Sequence, residues 1–269
     1  MAKKKYDEAN IQAIAEAIRD KTGSEETYKA SEMASGVNEV YEAGKKAESD
    51  AFWDSIDFNA QYAFMGTAWN EHNFKPNKDI PVTVGTFERH AWDGKKPYDL
   101  KNQLEKLGVK LIFIAGSDNF PFRYANFYRL PKCDFSMCSG VFDRVFYGMG
   151  SLETIVGIVF PAEGAVTSYN QPFYGCKLLK FIHEASGVID QSIDFSPAPL
   201  NVESMKRIIL LLKNFSGTDR EYTCTFSLSS KCKTILEEEG ATAEYTDEEG
   251  NTIFVKWTEY ISLIGWTLK

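Results

Sequence analysis

The sequence predicts an α+β chain in three parts: a helical region over residues 1–57, a β solenoid over 58–199 and an α/β segment over 200–269 that caps it. Three observations carry that prediction. A ten-residue unit is duplicated: Phe146–Ile155 and Phe173–Ile182, 27 residues apart, match at Phe, Tyr, Gly, Leu and Ile in the same relative places. Strand-like apolar runs begin at Leu111, Leu130, Leu152 and Leu179, at steps of 19, 22 and 27 residues. That lies near the period of leucine-rich repeat arrays, in which one strand per repeat stacks on the next. No long helical pattern interrupts residues 108–199, whereas both ends of the chain show helical spacing.

In chain order, Ile11, Ile14 and Ile18, with Ala13, Ala15 and Ala17 between them, form a narrow apolar stripe on a helix from about Asp7 to Lys21. Gly23 ends it. Met33, Val37, Val40, Tyr41, Gly44 and Ala47 repeat the spacing on a second helix, which Ser31 can cap and which reaches Phe52. Two thin stripes of this kind need a neighbour, either the rest of the chain or copies of it. Residues 58–77 then turn aromatic and Asn-rich, with Tyr62, Phe64, Trp69, His72 and Phe74, which marks a boundary and an aromatic cap on the solenoid.

Within the repeat, Leu and Ile three residues apart (Leu152 and Ile155, Leu179 and Ile182) are expected to fill the interior. The Phe before each Gly is expected to pack between coils, and Gly148 and Gly175 to allow sharp turns. Beyond Pro199, Asn201 caps a helix carrying Val202, Met205, Ile208, Ile209 and Leu212 on one face, stopped by residues 214–217. Tyr222 to Leu228 alternates like a strand, Ser229 or Ser230 opens a short helix to Glu239, and Thr242 to Val255 reads as a hairpin turning at residues 249–251. Ile261 to Leu268 ends the chain as a strand-like run. An open solenoid end exposes apolar side chains and unpaired strand edges, so this segment is expected to cover it.

Composition narrows the function. With 269 residues, 43% hydrophobic and 25% charged, the chain can bury a full core. Thirty Lys and Arg against thirty-eight Asp and Glu give a net charge of −8, which lacks the basic footprint of a nucleic-acid binder. No apolar run approaches the roughly 20 residues that span a bilayer, and Lys3, Lys4 and Lys5 precede polar residues, so neither membrane insertion nor a secretory signal is expected. The five cysteines, Cys133, Cys138, Cys176, Cys224 and Cys232, form no CxxC pair and read as reduced core residues. His72, His90 and His183 are scattered, and no GxSxG, HExxH, P-loop or GxGxxG sequence occurs. No catalytic residue, metal ligand or cofactor is expected, although a pair of glycosidase-type carboxylates among so many acids stays open. The seven acids between Glu237 and Glu249 lack the loop spacing of a calcium site and read as a solvated helix end and hairpin tip.

The aromatic content is 14%, and aromatic rings stack on sugars and anchor interfaces. Tyr62 and Phe127 belong to the set of interest. Trp69, Trp92, Tyr124, Tyr128 and Tyr169 are the candidates for a binding surface.

The tandem Phe-Tyr-Gly-x-x-x-Leu-x-x-Ile units resemble the irregular leucine-rich repeats of the BspA-like type. Ile11 to Gly23, followed by Ser31 to Gly36, resembles a helical motif frequent near the N-termini of bacteriophage tail and baseplate proteins. The segments from Tyr41 to Asp54 and from Trp69 to Ile80, and the closing Gly265-Trp266, are similar to the same group of virion proteins, while residues 87–134 depart most from it. The resemblance implies a structural protein of the phage tail, baseplate or a fibre, assembled in the host cytoplasm and carried on the virion. It implies other virion proteins and copies of the chain as partners, with trimers common, and often contact with the host surface. It does not imply catalysis. The stacking faces of the candidate aromatics make a host-surface carbohydrate the expected ligand. A head-attached fibre or a decoration protein without a ligand is the alternative within that class, and a virion-associated polysaccharide depolymerase is the alternative outside it. The candidate attachment residues are Ile11, Ile14, Ile18, Met33, Val37, Val40 and Tyr41, on the two helical stripes. Deleting residues 1–56 should therefore yield a chain that no longer self-associates and is absent from purified particles, as checked by sedimentation and by immunoblotting of virions.

Overall fold

In the computed structural model, residues 80–82, 86–89, 97–113, 120–219, 222–247 and 249–269 are described, with Glu16, Ala17, Asp20, Tyr41 and Gly44 near the N-terminus. The chain divides into two compact units, Met1–Ile56 with His72–Lys75, and Asp57–Glu71 with Pro76–Lys269. In the first unit the five described residues are helical and exposed, Tyr41 among them. Ile11, Ile14, Ile18, Met33, Val37 and Val40 lie outside the described residues, as do Trp69 and Trp92 of the second unit.

The second unit is α+β and contains a β solenoid of about three turns. It begins with β1 (Ile80–Val82), β2 (Tyr98–Asp99), α1 (Leu100–Leu107) and β3 (Leu111–Phe113). The coils follow as β4 (Phe127–Asp134), β5 (Gly140–Asp143), β6 (Thr154–Val159), β7 (Val166–Asn170) and β8 (Phe181–Ser186). The chain closes with β9 (Ile193–Asp194), α2 (Val202–Ile209), β10 (Cys224–Ser227), α3 (Ser230–Glu238), β11 (Ala241–Thr246), β12 (Thr252–Lys256), α4 (Trp257–Leu263) and β13 (Trp266–Leu268). Strands β2, β4, β6 and β8 form one parallel sheet in that order, and β5 pairs with β7 in a second. Leu130, Ile155 and Ile182 are in register across three coils and fully buried. Leu152 and Leu179 are buried three residues earlier, as the repeat requires.

A column of four turns, 86–89, 121–124, 145–148 and 172–175, runs along the same stack. Backbone bonds join each turn to the next: Phe87 N donates to Pro121 O (2.7 Å), Phe122 N to Val145 O (3.1 Å) and Phe146 N to Pro172 O (2.9 Å). Behind them the rings of Phe87, Phe122, Phe146 and Phe173 stack nearly parallel, with centroids 5.3, 5.8 and 5.3 Å apart, and all four are fully buried. That interval is close to the spacing of neighbouring strands, about 4.8 Å, so ring stacking and strand pairing act along one axis.

The fourth residue of each turn is left-handed: Arg89, Tyr124, Gly148 and Gly175, with φ of 52, 60, 72 and 80°. Glycine takes over for a second reason. A Cβ on Gly148 would lie 2.3 Å from Cδ1 of Tyr124, whose ring covers it, and one on Gly175 would lie 3.1 Å from the Gly148 Cα.

At the far end the chain changes partners. Helix α2, N-capped by Asn201, lies against β8: Asn201 N donates to Lys180 O (2.9 Å), and the buried Ser204 hydroxyl accepts from Ile182 N (2.8 Å) and donates to Ile182 O (3.4 Å). One side chain thus does at Ile182 what a further strand would do. Strand β9 pairs in parallel with β10, and β10 with β13. Phe195 continues the ring stack, 4.3 Å from Phe173, and Phe226 follows at 6.0 Å.

Four features differ from the sequence expectation. The starts at Leu111, Leu130, Leu152 and Leu179 do not form one column: Leu111 lies in β3, which pairs with β1, and Leu130 is in register with Ile155 and Ile182, three residues beyond Leu152 and Leu179. Helix α2 ends at Ile209, because Leu212 leaves the helical face to bridge Ile189, with Ile189 N donating to Leu211 O and Lys213 N to Ile189 O. Ile261 belongs to a helix and not to the last strand: Trp257, Ile261 and Ile264 are buried at helical spacing, and Gly265 (φ 81°) releases the chain into β13. Helix α1 was not expected; Asp99 accepts from Asn102 N to start it, Leu100 and Leu104 are its buried face, and Gly108 ends it. Among the described residues, no helix is long and apolar enough to cross a membrane.

Phe146 stands mid-stack between two rings, so Phe146→Ala should lower unfolding stability by about 3–5 kcal/mol, measured by urea denaturation of the full chain.

Candidate binding cleft

The sequence candidates occupy three different environments. Tyr124 is half-buried, its ring over Gly148 and edge-on to Tyr147 at 5.5 Å. Tyr128 is 37% exposed on the outer face of β4, and its hydroxyl donates to Asp99 Oδ2 (3.1 Å). Loss of hydration and the Asp99 carboxylate raise its pKa. Tyr169 is 7% exposed, which corrects its assignment as an open stacking face. It is an inward residue of β7, packed on Phe142 and Phe160 at 5.4 and 6.1 Å, and its hydroxyl donates to Val188 O (3.4 Å).

The residue that sequence reasoning passed over is Tyr174. Tyr147 and Tyr174 hold the same place in the duplicated unit, one residue after the ladder Phe, and their rings stack at 4.8 Å with an angle of 21°. The next coil supplies Phe195 and then Ser196. The backbone bond from Ala198 N to Phe195 O repeats the bonds from Met149 N to Phe146 O and from Cys176 N to Phe173 O, which fixes Ser196 as the counterpart of Tyr174. A short side chain therefore stands where a third ring would continue the outer stack. Tyr174 is 52% exposed. A sequence signal did exist: the pattern Phe-Tyr, Phe-Tyr, Phe-Ser at residues 146, 173 and 195.

A cleft of about 410 Å³ lies beside Tyr174, between the end of β7 and strands β9 and β10. Tyr174, Tyr169 and Ile193 are among the residues that line it. Its polar groups are Asn170, Gln171, Ser192, Asp194, Thr225 and Ser227, and among the described residues no Lys or Arg side chain lines it. Several of these groups are already oriented. Asn170 Nδ2 donates to Asp143 Oδ1 (2.5 Å), Asp194 Oδ1 accepts from Ser196 N (2.8 Å), and Ser192 Oγ accepts from Thr225 N (2.9 Å). A wall of short donors and acceptors with one carboxylate and an exposed ring suits an uncharged polar ligand.

Other chemistry is thinly represented. The five cysteines are free and buried, and burial pushes the Cys133 and Cys176 thiols well above the usual range. Among the described residues, no group of three His, Cys, Asp or Glu side chains could hold a metal ion. His183 is exposed and stacks on Phe181 at 5.9 Å. Of the acids between Glu237 and Glu249, Asp247 accepts from Asn251 N and Glu249 N within its turn, Glu237 pairs with Lys256, and Glu239 pairs with Lys206 of α2. Comparison of the chain with family models, with curated proteins and with solved structures found no match.

Burial is the main reason that the Tyr169 phenol titrates well above its ordinary value of 10, and the Asp190 carboxylate adds to it. A raised folded-state value means that the stabilisation is complete below the unfolded value, about pH 10, and is lost as the pH rises above it. Unfolding stability should thus fall between pH 9 and pH 11.5, and Tyr169→Phe should flatten that fall; a variant with the same pH slope as the parent would contradict the assignment.

Proposed function

We propose that the protein is a non-enzymatic structural component of a bacteriophage particle that binds a host-surface carbohydrate through the cleft beside Tyr174. In this reading the solenoid is an irregular leucine-rich-repeat array, and residues 200–269 cover its last coil. The N-terminal helices attach the chain to the tail apparatus and to its own copies as a trimer. The virion part of the proposal rests on the N-terminal motif and the tandem repeat. The observation that carries the binding part is the cleft itself, in which an exposed tyrosine ring faces short hydroxyl, amide and carboxylate side chains. Sugar recognition needs that pairing: an aromatic face for the C–H face of the ring, and close donors and acceptors for the hydroxyls.

The purified full chain should adsorb saturably to bacterial cells of the phage's host, and periodate cleavage of the vicinal diols of the surface glycans should abolish adsorption. Absence of adsorption would overturn the binding function, and release of soluble glycan fragments on incubation would overturn the non-enzymatic part.

A further inference from the structure

We infer that the ligand of this cleft is one uncharged pyranose ring, seated on Tyr174 as the missing third ring of the outer stack, and that Ser196 is the residue that leaves room for it. This rests on the carbohydrate reading and says which sugar chemistry and which residues carry it.

The outer stack runs Tyr147, Tyr174 at an interval of 4.8 Å, in step with the inner stack of phenylalanines. The inner stack continues past this point, from Phe173 to Phe195 at 4.3 Å. The outer one stops because Ser196 stands at the next equivalent position, and Tyr174, the last ring before it, lines the cleft. Tyr147 and Gly148 hold Tyr174 from below, through ring stacking and the bond from Gly148 N to Tyr174 O (2.6 Å). The ring is thus fixed before a ligand arrives, and binding does not have to order it.

A pyranose offers one face of C–H groups, whose partial positive charge suits the negative face of an aromatic ring, and a rim of hydroxyls. At the rim the cleft supplies Gln171, Ser192, Asp194, Thr225 and Ser227, which between them donate and accept. The volume, about 410 Å³, is at the small end of ligand sites and fits one or two sugar rings. Charge decides among sugars. Asp194 is exposed in the wall, no Lys or Arg stands among the described lining residues, and the chain carries −8 overall, so a uronic acid brings a second carboxylate against the first.

The test uses the full chain and saturation-transfer NMR with methyl glucoside, methyl galactoside, N-acetylglucosamine and glucuronic acid as probes. At least one neutral sugar should bind, with a Kd in roughly the millimolar range expected of a single ring on an open site. Tyr174→Ala should weaken it by about tenfold or more, and Tyr174→Phe should keep it within about threefold, since the face remains. Ser196→Tyr should abolish binding by filling the position, with circular dichroism to show that the variant is folded; should it not fold, the two Tyr174 variants decide. Glucuronic acid should bind about tenfold more weakly than glucoside. No binding of any neutral sugar, binding unchanged in Tyr174→Ala, or glucuronic acid bound most tightly would each overturn the inference. Adsorption to cells separates this from the broader reading. Glycan-dependent adsorption that survives Tyr174→Ala removes this cleft but leaves host binding, whereas sugar binding in the cleft by a chain that does not adsorb removes host binding but leaves the cleft.

Discussion

The structure depends on one coincidence of lengths: parallel strands repeat at the distance at which phenyl rings stack. Phe87, Phe122, Phe146, Phe173 and Phe195 form an unbroken buried file, and every other column is read off against it. A leucine interior alone would tolerate a slip of one coil against the next, because aliphatic side chains fit many positions. Flat rings do not, since a shifted ring loses both its stacking partners and the backbone bonds of the turn beside it. The file thus sets the register that the sheets β2-β4-β6-β8 and β5-β7 then propagate.

The same arrangement explains where an open surface can exist. Inside the solenoid each column is covered by the coil on either side, so a cleft needs a place where one column stops while its neighbours go on. Past β8 the inner ring file continues to Phe195, against which Phe226 packs at a tilt, but strand pairing passes to β9 and β10, and Ser204 occupies the backbone of Ile182. The outer tyrosines have no successor there. The cleft beside Tyr174 is a consequence of how the stack ends rather than an addition to it.

Much of this architecture was legible in the residues because the repeat constrains several atoms per coil at once. Leu152, Ile155, Leu179 and Ile182 are interior as their spacing implies, and Gly148 and Gly175 turn where a side chain would clash. Asn201 and Ser229 cap the helices they precede. What was not legible has a common cause: one-residue decisions made by tertiary partners. Leu212 fits the apolar face of α2 but is claimed by Ile189, and the run from Ile261 to Leu268 reads as strand until Ile261 and Ile264 find a core on one side. In the cleft, Tyr169 was legible as aromatic but not as inward-facing, because β7 places two exposed residues, Thr167 and Ser168, between its buried ones and so breaks simple alternation. Tyr174 was overlooked because its value comes from Ser196, a residue defined by what it lacks.

The coils are not of equal length, and this has an evolutionary consequence. Arg129 pairs with Thr154 after 25 residues and Thr154 with Phe181 after 27, while the register shifts at Gly140 and Val141 within the β5-β7 pair. Residues are gained at the bulge and at the corners, and the flat faces keep their frame. Small insertions or deletions in the gene are therefore absorbed at the corners without disturbing the ring file. A change in the number of coils requires duplication or loss of a whole unit carrying its own Phe, left-handed turn residue and interior Leu-Ile pair. Diversity in such a lineage would grow by two separate clocks, a fast one for corner loops and a slow one, in steps of a whole coil, for reach.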